Sequence, residues 1–305
     1  SMDRNNSYYR QVQFLIQLLP LVAGESCFAL KGGTAINLFV RDFPRLSVDI
    51  DLVYLPPGGR EEALEAIKAA LERLAGKIEK TFPGVTVVKS YRDKQDALRL
   101  TVANKGASIK IELSPVLRGT VFAPQIRSVV PAVEDEFGFA EMAVVSFEDL
   151  FAGKICAALD RQHPRDWFDI HLLLENEGLT EPLIKTFLVY LISHSRPMEE
   201  LLAPNFKPLN TAYGSEFVGM TQIDVAVKTL EETRVRLIHQ IAGALSREDK
   251  AFLCGMYELL PNWSLLGLEG IQDLPAVQWN LHNIRRMTDE KRKASLERLK
   301  QVLSL

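Results

Sequence analysis

The sequence predicts an α/β protein, with a mixed sheet and flanking helices in its N-terminal half and a helical domain in its C-terminal half. Up to about residue 145, short β-branched and apolar runs alternate with amphipathic helical patterns, which is typical of a sheet covered by helices. Beyond that point the pattern is almost wholly helical and is interrupted mainly at prolines. We therefore expect one domain at residues 1–145 and a second, helical domain at residues 146–305.

The overall composition is that of an ordinary globular protein. The chain has 305 residues, of which 47% are hydrophobic and 25% charged, and its net charge is −3. Because there is no basic excess, a nucleic-acid partner would have to bind a local patch of the surface. Three scattered cysteines in apolar surroundings indicate buried thiols in a reducing compartment. With a polar N-terminus and no apolar run near the roughly 18 residues of a membrane span, we expect a cytoplasmic protein without membrane contact.

The predicted elements follow from periodicity and turn residues. Helical patterns predict one helix at 7–23 and a stronger amphipathic helix at Arg60–Lys80. Another helix is expected to start at Thr34, which would cap it. The predicted strands are Phe28–Leu30, Val48–Tyr54, Val85–Lys89, Ala97–Val102 and Ser108–Leu113, with a turn at Arg92-Asp93. We expect irregular strands and loops over residues 115–145, which contain several prolines.

Residues 28–54 carry the first candidate site. Gly32 and Gly33 follow a short apolar run and precede an apolar-periodic stretch, which predicts a strand, a glycine turn and a helix. Asp49 and Asp51 are two apart in a β-branched run, so on a strand both carboxylates project from the same face. Two like charges on one face repel each other, and a cation between them would remove that repulsion.

These residue types suit chemistry on a nucleoside triphosphate. Mg²⁺ or Mn²⁺ prefers carboxylate oxygens, and Mg²⁺ keeps water and substrate phosphates as its remaining ligands. Glycines allow the backbone to approach a triphosphate closely, and a helix N-terminus offers N–H groups to an anion. A Gly-Gly turn before a helix, followed by Asp-x-Asp on the next strand, is typical of a nucleotidyltransferase of the polymerase-β kind.

Glu112 is the candidate for a third metal ligand. It lies on the predicted strand Ser108–Leu113, where Lys110 and Glu112 face away from the apolar side chains. Nucleotidyltransferases of this class often use a third carboxylate from a neighbouring strand, which would help to deprotonate the attacking hydroxyl. An exposed strand face with a simple Lys–Glu pair explains the same pattern equally well.

Residues 149–175 hold a second cluster of charged side chains. Lys154 falls inside a helix that has a buried stripe, so its ammonium either extends to solvent or reaches into a cleft. Asp166 and Asp169 are three apart and lie on one turn of the next helix. The alternative to a functional cluster is a surface ion pair between Arg165 and Asp166, worth about 0–1 kcal/mol.

Together the two clusters resemble the AbiEii/AbiGii toxin family of nucleotidyltransferases, the toxin half of bacterial abortive-infection and type IV toxin–antitoxin pairs. The resemblance is carried by Lys31-Gly32-Gly33-Thr34-Ala35, by Arg45-x-Ser47-x-Asp49-x-Asp51-Leu52, and by Lys154-x-x-Ala-x-x-x-Arg followed by Arg165-Asp166-x-x-Asp169-Ile. It covers residues 28 to about 175 by motif, and the rest of the chain only by length and helical character.

The resemblance implies metal-dependent transfer of a nucleoside monophosphate from an NTP to an acceptor. It assigns metal binding to Asp49 and Asp51, contact with the nucleotide phosphates to Lys154, and a further active-site role to Asp169. The helical domain is expected to supply Lys154 and Asp169 across a cleft.

Nucleotide-binding roles are expected for a second group of residues. The group comprises Gly32, Gly33, Thr34, Ser47 and Arg165, with Asp166 as a further support. Ser47 is expected either to bind phosphate or to cap a turn. Lysine suits a triphosphate because its ammonium is a compact point charge.

The same resemblance implies a toxin that blocks translation by modifying the 3′ end of tRNA, together with a cognate antitoxin. Two other functions stay open from the residues. One is an enzyme of the same fold that modifies an antibiotic or another small molecule, or a protein. The other is a degenerate protein that binds nucleotide or RNA without turnover, against which the intact acidic pair argues.

The remaining polar and aromatic residues give weaker indications. None of the five histidines has a partner at metal-ligand spacing, so a zinc site is not expected. Trp263 and Trp279 are predicted to anchor the core of the C-terminal helices. The basic stretch 285–293 is predicted to be a solvated helix face, with contact to acceptor RNA as the alternative.

Overall fold

The structure is a computed structural model that describes residues 5–92 and 97–305. Its described residues form two compact units. Unit 1 contains the residues up to Ser146 together with Val218–Asp224, and unit 2 contains Phe147–Phe217 and Val225–Leu305. Within these described ranges, no helix has the length and hydropathy that crossing a membrane requires.

Unit 1 is built around a mixed sheet, to which its described residues contribute seven strands. The strands are β1 (Phe28–Lys31), β2 (Ile50–Tyr54), β3 (Thr86–Lys89), β4 (Arg99–Asn104), β5 (Ala107–Leu113), β6 (Gln125–Ser128) and β7 (Glu141–Val144). Their order is β3-β4-β5-β2-β1-β7-β6. Strand β2 runs parallel to β5 and β1 runs parallel to β7, whereas the other neighbours are antiparallel.

The helices of unit 1 complete the predicted α/β class. They are α1 (Ser7–Ala23), α2 (Gly32–Ala35), α3 (Arg60–Thr81) and α4 (Pro131–Phe137), and α2 continues directly into a π-helical turn at Ile36–Val40. Helices α1 and α3 pack against each other and against the sheet. Their buried apolar stripes form the core with the apolar face of the sheet. Complete burial of one large aliphatic side chain contributes about 1.5–3 kcal/mol.

The two faces of the central strands differ in polarity. Ile50 pairs with Ile111 and Leu52 pairs with Leu113 across β2 and β5, and all four side chains are buried. Asp51 lies between them in sequence, so it projects from the opposite face. The alternation that the sequence predicted for this stretch is therefore confirmed, and it separates the core from a charged face.

The observed elements differ from the predicted ones at several places. The strand predicted at Ala97–Val102 is observed as β4 at Arg99–Asn104. The helix expected from Thr34 begins at Gly32, and Thr34 does not cap it because its hydroxyl bonds to other groups. Strand β2 begins at Ile50, so Asp49 lies one residue before it. The stretch predicted as irregular strands and loops contains α4, whose first residue is a proline with a fixed φ that suits a first helical turn. The predicted turn at Arg92-Asp93 includes Asp93, which lies outside the described residues.

Unit 2 is helical. Its helices are α5 (Phe147–Arg161), α6 (Pro164–Glu175), α7 (Glu181–Ser193), α8 (Met198–Leu202), α9 (Asn210–Glu216), α10 (Val227–Ala244), α11 (Arg247–Tyr257), α12 (Pro275–Arg285) and α13 (Asp289–Val302). Short 3₁₀ turns at Trp263–Leu266 and Ile271–Asp273 connect the last ones. Prolines at the start of α6, α7 and α12 set the first turn of each of these helices.

Two predictions about burial need correction. The predicted core role of Trp279 is wrong, because its side chain is 51% exposed and its ring stacks on that of His282 at a centroid distance of 5.8 Å. Trp263 does pack edge-on against Phe252. Cys27 is half-buried, whereas the other two cysteines are buried as predicted.

Candidate functional site

A glycine turn joins β1 to the helical segment 32–40 in unit 1. Gly32 has a φ of +78°, a left-handed conformation that glycine adopts without the steric cost of a Cβ. A Cβ at Gly32 would lie 2.7 Å from Oδ2 of Asp51, and a Cβ at Gly33 would lie 2.5 Å from Nη2 of Arg45. The absence of side chains therefore lets the turn lie directly against a carboxylate and a guanidinium.

Thr34 and Ser47 connect this turn to the acidic stretch. The Thr34 hydroxyl donates to the backbone carbonyl of Asp49, and its oxygen lies 2.8 Å from the Ser47 hydroxyl oxygen. Because a threonine hydroxyl has only one proton, Ser47 is the donor in the second bond. A phosphate oxygen would have to compete with Thr34 for the Ser47 proton, so phosphate binding by Ser47 stays a prediction.

Four charged residues form a row across the polar face of the sheet. Lys31 on β1 pairs with Asp51 on β2, which pairs with Glu112 on β5, which pairs with Arg99 on β4. Paired positions on neighbouring strands project from the same face. Nε of Arg99 donates to Oε2 of Glu112 at 3.1 Å, and Nη2 of Arg99 lies 3.0 Å from the same oxygen as an ion pair. Two cations therefore flank two adjacent carboxylates.

The carboxylates of this face suit a divalent cation. Asp49 and Asp51 are both half-buried, and Asp51 lies against the glycine turn. Mg²⁺ is commonly held by one or two carboxylates together with substrate phosphates, and metal binding by Asp49 and Asp51 stays a prediction. Glu112 is the register neighbour of Asp51 but is bound by Arg99. No group of three or more His, Cys, Asp or Glu residues within 5–92 and 97–305 is arranged to hold a metal, so the third-ligand role of Glu112 stays a prediction.

Unit 2 contains a buried cluster of charges on α5 and α6. Nζ of Lys154, in the middle of α5, lies 3.0 Å from Oδ1 of Asp166 and 3.1 Å from Oδ2 of Asp169. Asp166 and Asp169 lie three apart on α6 and face the same lysine. All three side chains are at most 3% exposed. The lysine predicted either to reach solvent or to enter a cleft is therefore held inside the unit by two carboxylates.

Arg161 completes this cluster at the C-terminal end of α5. Its Nε and Nη2 donate to the two oxygens of Asp166, at 2.6 and 2.8 Å. Burial by itself raises the pKa of Asp166, but the positive charges of Lys154 and Arg161, with their hydrogen bonds, outweigh burial and hold this pKa well below its ordinary value. Asp166 therefore joins two cations, which is a more central position than the supporting role predicted for it.

We expect Asp166→Asn to lower the free energy of unfolding by about 3 kcal/mol at neutral pH, because removing one charge of a buried pair leaves the partner uncompensated. The pKa of Asp166 is lower in the folded state than its ordinary value of 3.8. Its stabilising contribution is therefore complete above about pH 4 and is lost as the pH falls below that value. The difference in stability between wild type and variant should shrink over the same range, as measured by chemical denaturation at several pH values.

Asp289→Asn is the matched control for this prediction. Asp289 forms an ion pair with Arg292 at 2.8 Å, but its side chain is 81% exposed, so the change should cost less than about 0.5 kcal/mol at any pH. A stability difference for Asp166→Asn that stays constant from pH 7 to pH 3 would contradict the assignment of Asp166 as the charge that joins Lys154 and Arg161.

Two further residues, His163 and Arg165, lie beside the cluster. His163 is the N-cap of α6, and its Nδ1 accepts a hydrogen bond from the backbone N–H of Arg165. Burial, assisted by the charge of Arg165, lowers the pKa of His163. Arg165 is half-buried, and its predicted role in nucleotide binding stays a prediction.

Sequence reasoning gave no role to several residues that the structure places in these sites. Arg45 and Arg161 both stand inside the quoted motifs, so their positions were a usable signal. Lys31 also stands in the first motif, whereas Arg99 becomes relevant only through the strand register. Half-buried Tyr190 donates to Oδ1 of buried Asp149 at 2.7 Å, and no sequence pattern indicated this pair.

Comparisons with known proteins agree with these motifs. Residues 13–282 match the family described as nucleotidyl transferase AbiEii toxin, type IV TA system. A comparison with curated proteins gave no significant match.

Two solved structures are similar to this chain. One is MenT4, a nucleotidyltransferase toxin from Mycobacterium tuberculosis H37Rv, with a TM-score of 0.60 and 14% identity over 91% of this chain and 93% of that one. The other is JHP933 from Helicobacter pylori, with a TM-score of 0.45 and 19% identity over 80% of this chain and 93% of that one. At 14% identity the likeness to MenT4 concerns the fold alone.

The family match spans most of the chain and includes both charged clusters, the acidic face of the sheet in unit 1 and the lysine–aspartate cluster in unit 2. The residues on which the resemblance depends are therefore all within the matched region. The chain belongs to the family of AbiEii nucleotidyltransferase toxins of type IV toxin–antitoxin systems.

Proposed function

We propose that this enzyme transfers a nucleoside monophosphate from an NTP to the 3′ end of tRNA and acts in this way as the toxin of its pair. The acceptor hydroxyl oxygen forms a bond to the α-phosphorus while the bond from that phosphorus to the bridging oxygen breaks, and pyrophosphate leaves. The hydroxyl proton passes to a carboxylate on the polar face of the sheet. Action in the cytoplasm beside a cognate antitoxin is part of the same proposal.

The residues of unit 1 would bind the reacting end of the nucleotide. Asp49 and Asp51 would hold Mg²⁺ or Mn²⁺, with Glu112 as the candidate third ligand. When bound, such an ion neutralises phosphate charge and polarises the phosphoryl oxygens. The turn at Gly32 and Gly33 would place backbone N–H groups against the phosphates, since no Cβ keeps them apart.

Lys154 is the proposed cationic partner of the triphosphate. An ammonium has three N–H donors, and two carboxylates accept from it at 3.0 and 3.1 Å. The third N–H is the one we assign to a phosphate oxygen. Asp169 would then act on the reaction through Lys154, by fixing the position of the ammonium.

The observation that carries the proposal is the position of Asp51. Its carboxylate lies against a glycine in the left-handed conformation and beside Glu112 on the neighbouring strand. Two adjacent carboxylates beside a glycine turn place possible ligands of a divalent cation where a triphosphate could closely approach the backbone. A cation-dependent reaction on an anionic substrate gives a reason for it.

The test is incubation of the protein with total tRNA, Mg²⁺ and each NTP in turn, labelled at the α-phosphorus. An Asp49→Asn, Asp51→Asn double variant serves as the inactive control. A Glu61→Gln, Glu65→Gln double variant is the matched control, because it removes two exposed carboxylates from α3. Melting curves establish that all three proteins are folded.

We expect label in tRNA with the wild type and the matched control, and none with the inactive control. A 3′ exonuclease should release that label before the rest of the tRNA is degraded. Label found only in a protein or a small molecule would show that this molecule, and not tRNA, is the acceptor. No label with any NTP from a folded wild-type protein would overturn the tRNA proposal.

A further inference from the structure

The loop that leads into β2 is held by a segment from much later in the chain. Residues 43–49, here called the acidic loop, precede β2 and include both Ser47 and Asp49. Val218–Asp224, here called the return segment, belongs to unit 1, although the residues on either side of it belong to unit 2. The chain therefore comes back to unit 1 for seven residues after unit 1 is otherwise complete.

Backbone hydrogen bonds join the return segment to the acidic loop. The N–H of Gln222 donates to the carbonyl of Pro44 at 2.9 Å, and the N–H of Leu46 donates to the carbonyl of Met220 at 2.8 Å. Between them Arg45 and Thr221 form an antiparallel bridge. Met220 and Thr221 are buried, so water does not compete freely for these bonds. The two hydrogen bonds and the Arg45–Thr221 pair form one antiparallel β-bridge.

The side chain of Arg45 reaches from this bridge to the glycine turn. It is 4% exposed, and its Nη1 donates to the carbonyl of Leu46 at 2.9 Å. Its Nη2 occupies the space that a Cβ at Gly33 would need. Arg45 thus contacts the turn directly, while its chain neighbours Pro44 and Leu46 are hydrogen-bonded to the return segment.

Side-chain bonds close the connection on the other side of the loop. Ser47 bonds to Thr34, and Thr34 donates to the carbonyl of Asp49. The acidic loop is therefore fixed between the glycine turn on one side and the return segment on the other. Moving the return segment would move the points from which Ser47 and Asp49 project.

We propose that the return segment is a positioning element for the transfer site, and that it acts through the backbone N–H of Gln222 and through the positioning residue Arg45 to set Ser47 and Asp49 against the glycine turn. This inference depends on the proposed function of that site. Neither residue is assigned a contact with substrate. The segment completes the site from outside residues 1–146, so those residues alone are not the whole catalytic unit.

Gln222→Pro is the variant that tests this proposal. Proline has no backbone N–H, so the bond to the Pro44 carbonyl is lost. Gln222→Ala is the matched control, because it removes the exposed side chain and retains the N–H. Both variants are made in the full chain. The readouts are steady-state nucleotidyl transfer and hydrogen exchange of peptides covering residues 43–51 and 99–113.

We expect Gln222→Pro to lower kcat by about tenfold or more while KM for the NTP changes less than threefold, since small displacements of catalytic groups are costly in rate. Exchange should rise in the 43–51 peptide and stay unchanged in the 99–113 peptide. Gln222→Ala should behave as wild type in both readouts. A purely structural role would lower the melting temperature and leave kcat of the folded protein unchanged, and that result would overturn the proposal.

Hydrogen exchange still tests the proposal if the variant does not fold or if the wild type shows no transfer. If Gln222→Pro does not fold, hydrogen exchange of the wild type tests the proposal instead. If the return segment holds the acidic loop, the Leu46 and Gln222 amides exchange slowly and at similar rates. Rapid exchange at either amide would overturn the proposal. If the wild type transfers no nucleotide to any acceptor, the proposed function fails, and the exchange comparison at 43–51 still tests whether the return segment holds the acidic loop.

Discussion

Replacing Asp51 by Asn is expected to reduce nucleotidyl transfer by about 10³-fold while the protein remains folded. The substitution keeps the shape of the side chain but removes the charge that would hold the cation and balance the triphosphate. Asp51 lies between Glu112 and Lys31 in the sheet register, so losing its charge relieves one repulsion and removes one attraction. Without metal, the free energy of unfolding should therefore change by less than about 0.5 kcal/mol.

Rates from the labelled-NTP assay and melting curves with and without Mg²⁺ and NTP test this prediction. The wild type should be stabilised by the two ligands together, because ligands that bind only the folded state raise its stability. The variant should lose most of this effect. Full activity in a folded Asp51→Asn protein would remove Asp51 from the reaction.

Glu112→Gln is the informative comparison for Asp51→Asn. Arg99 already holds the Glu112 carboxylate in a partly exposed ion pair, which is worth at most about 1 kcal/mol. A loss of rate as large as that of Asp51→Asn would identify Glu112 as a ligand or base in the reaction. A rate near that of the wild type would leave Asp49 and Asp51 as the complete protein ligand set.

Gly32→Ala is expected to cost both stability and activity. At a φ of +78°, an alanine is strained by about 1–2 kcal/mol. Its Cβ would also lie 2.7 Å from Oδ2 of Asp51, a distance too short for a carbon–oxygen contact, so the carboxylate must move. We expect at least about a tenfold loss of kcat, measured with the melting temperature of the same preparation.

Gly76→Ala is the matched control for the glycine substitution. Gly76 lies in α3, and a Cβ added there would meet no atom within 4 Å beyond the backbone of its own helix and its chain neighbours. Alanine is also the better helix former by about 0.5–1 kcal/mol. This control should therefore be slightly more stable than the wild type and fully active. Unchanged activity in Gly32→Ala would show that close approach of the turn to Asp51 is not needed.

The sequence determined the local parts of this protein. Periodicity located β1, β2, β5 and α3 to within a few residues, because apolar alternation records which face of an element is buried. Residues close in sequence on one element, such as the Asp51 stretch or Asp166 and Asp169 on α6, could be placed on one face for the same reason. The motif resemblance then indicated the family, which the comparison confirmed.

Only the tertiary structure decided which distant residues meet. Strand order and register place Glu112 between Asp51 and Arg99, and this follows from long-range backbone pairing that leaves no periodic trace in either strand. The return segment holds the residues on either side of Arg45 through backbone hydrogen bonds. Such bonds depend little on side-chain identity, so the sequence gives no sign of them. Thr34 was predicted as a helix cap from its residue type. In the fold its hydroxyl bonds instead to Ser47 and to the Asp49 carbonyl, because a polar group forms the bonds that its folded neighbours offer.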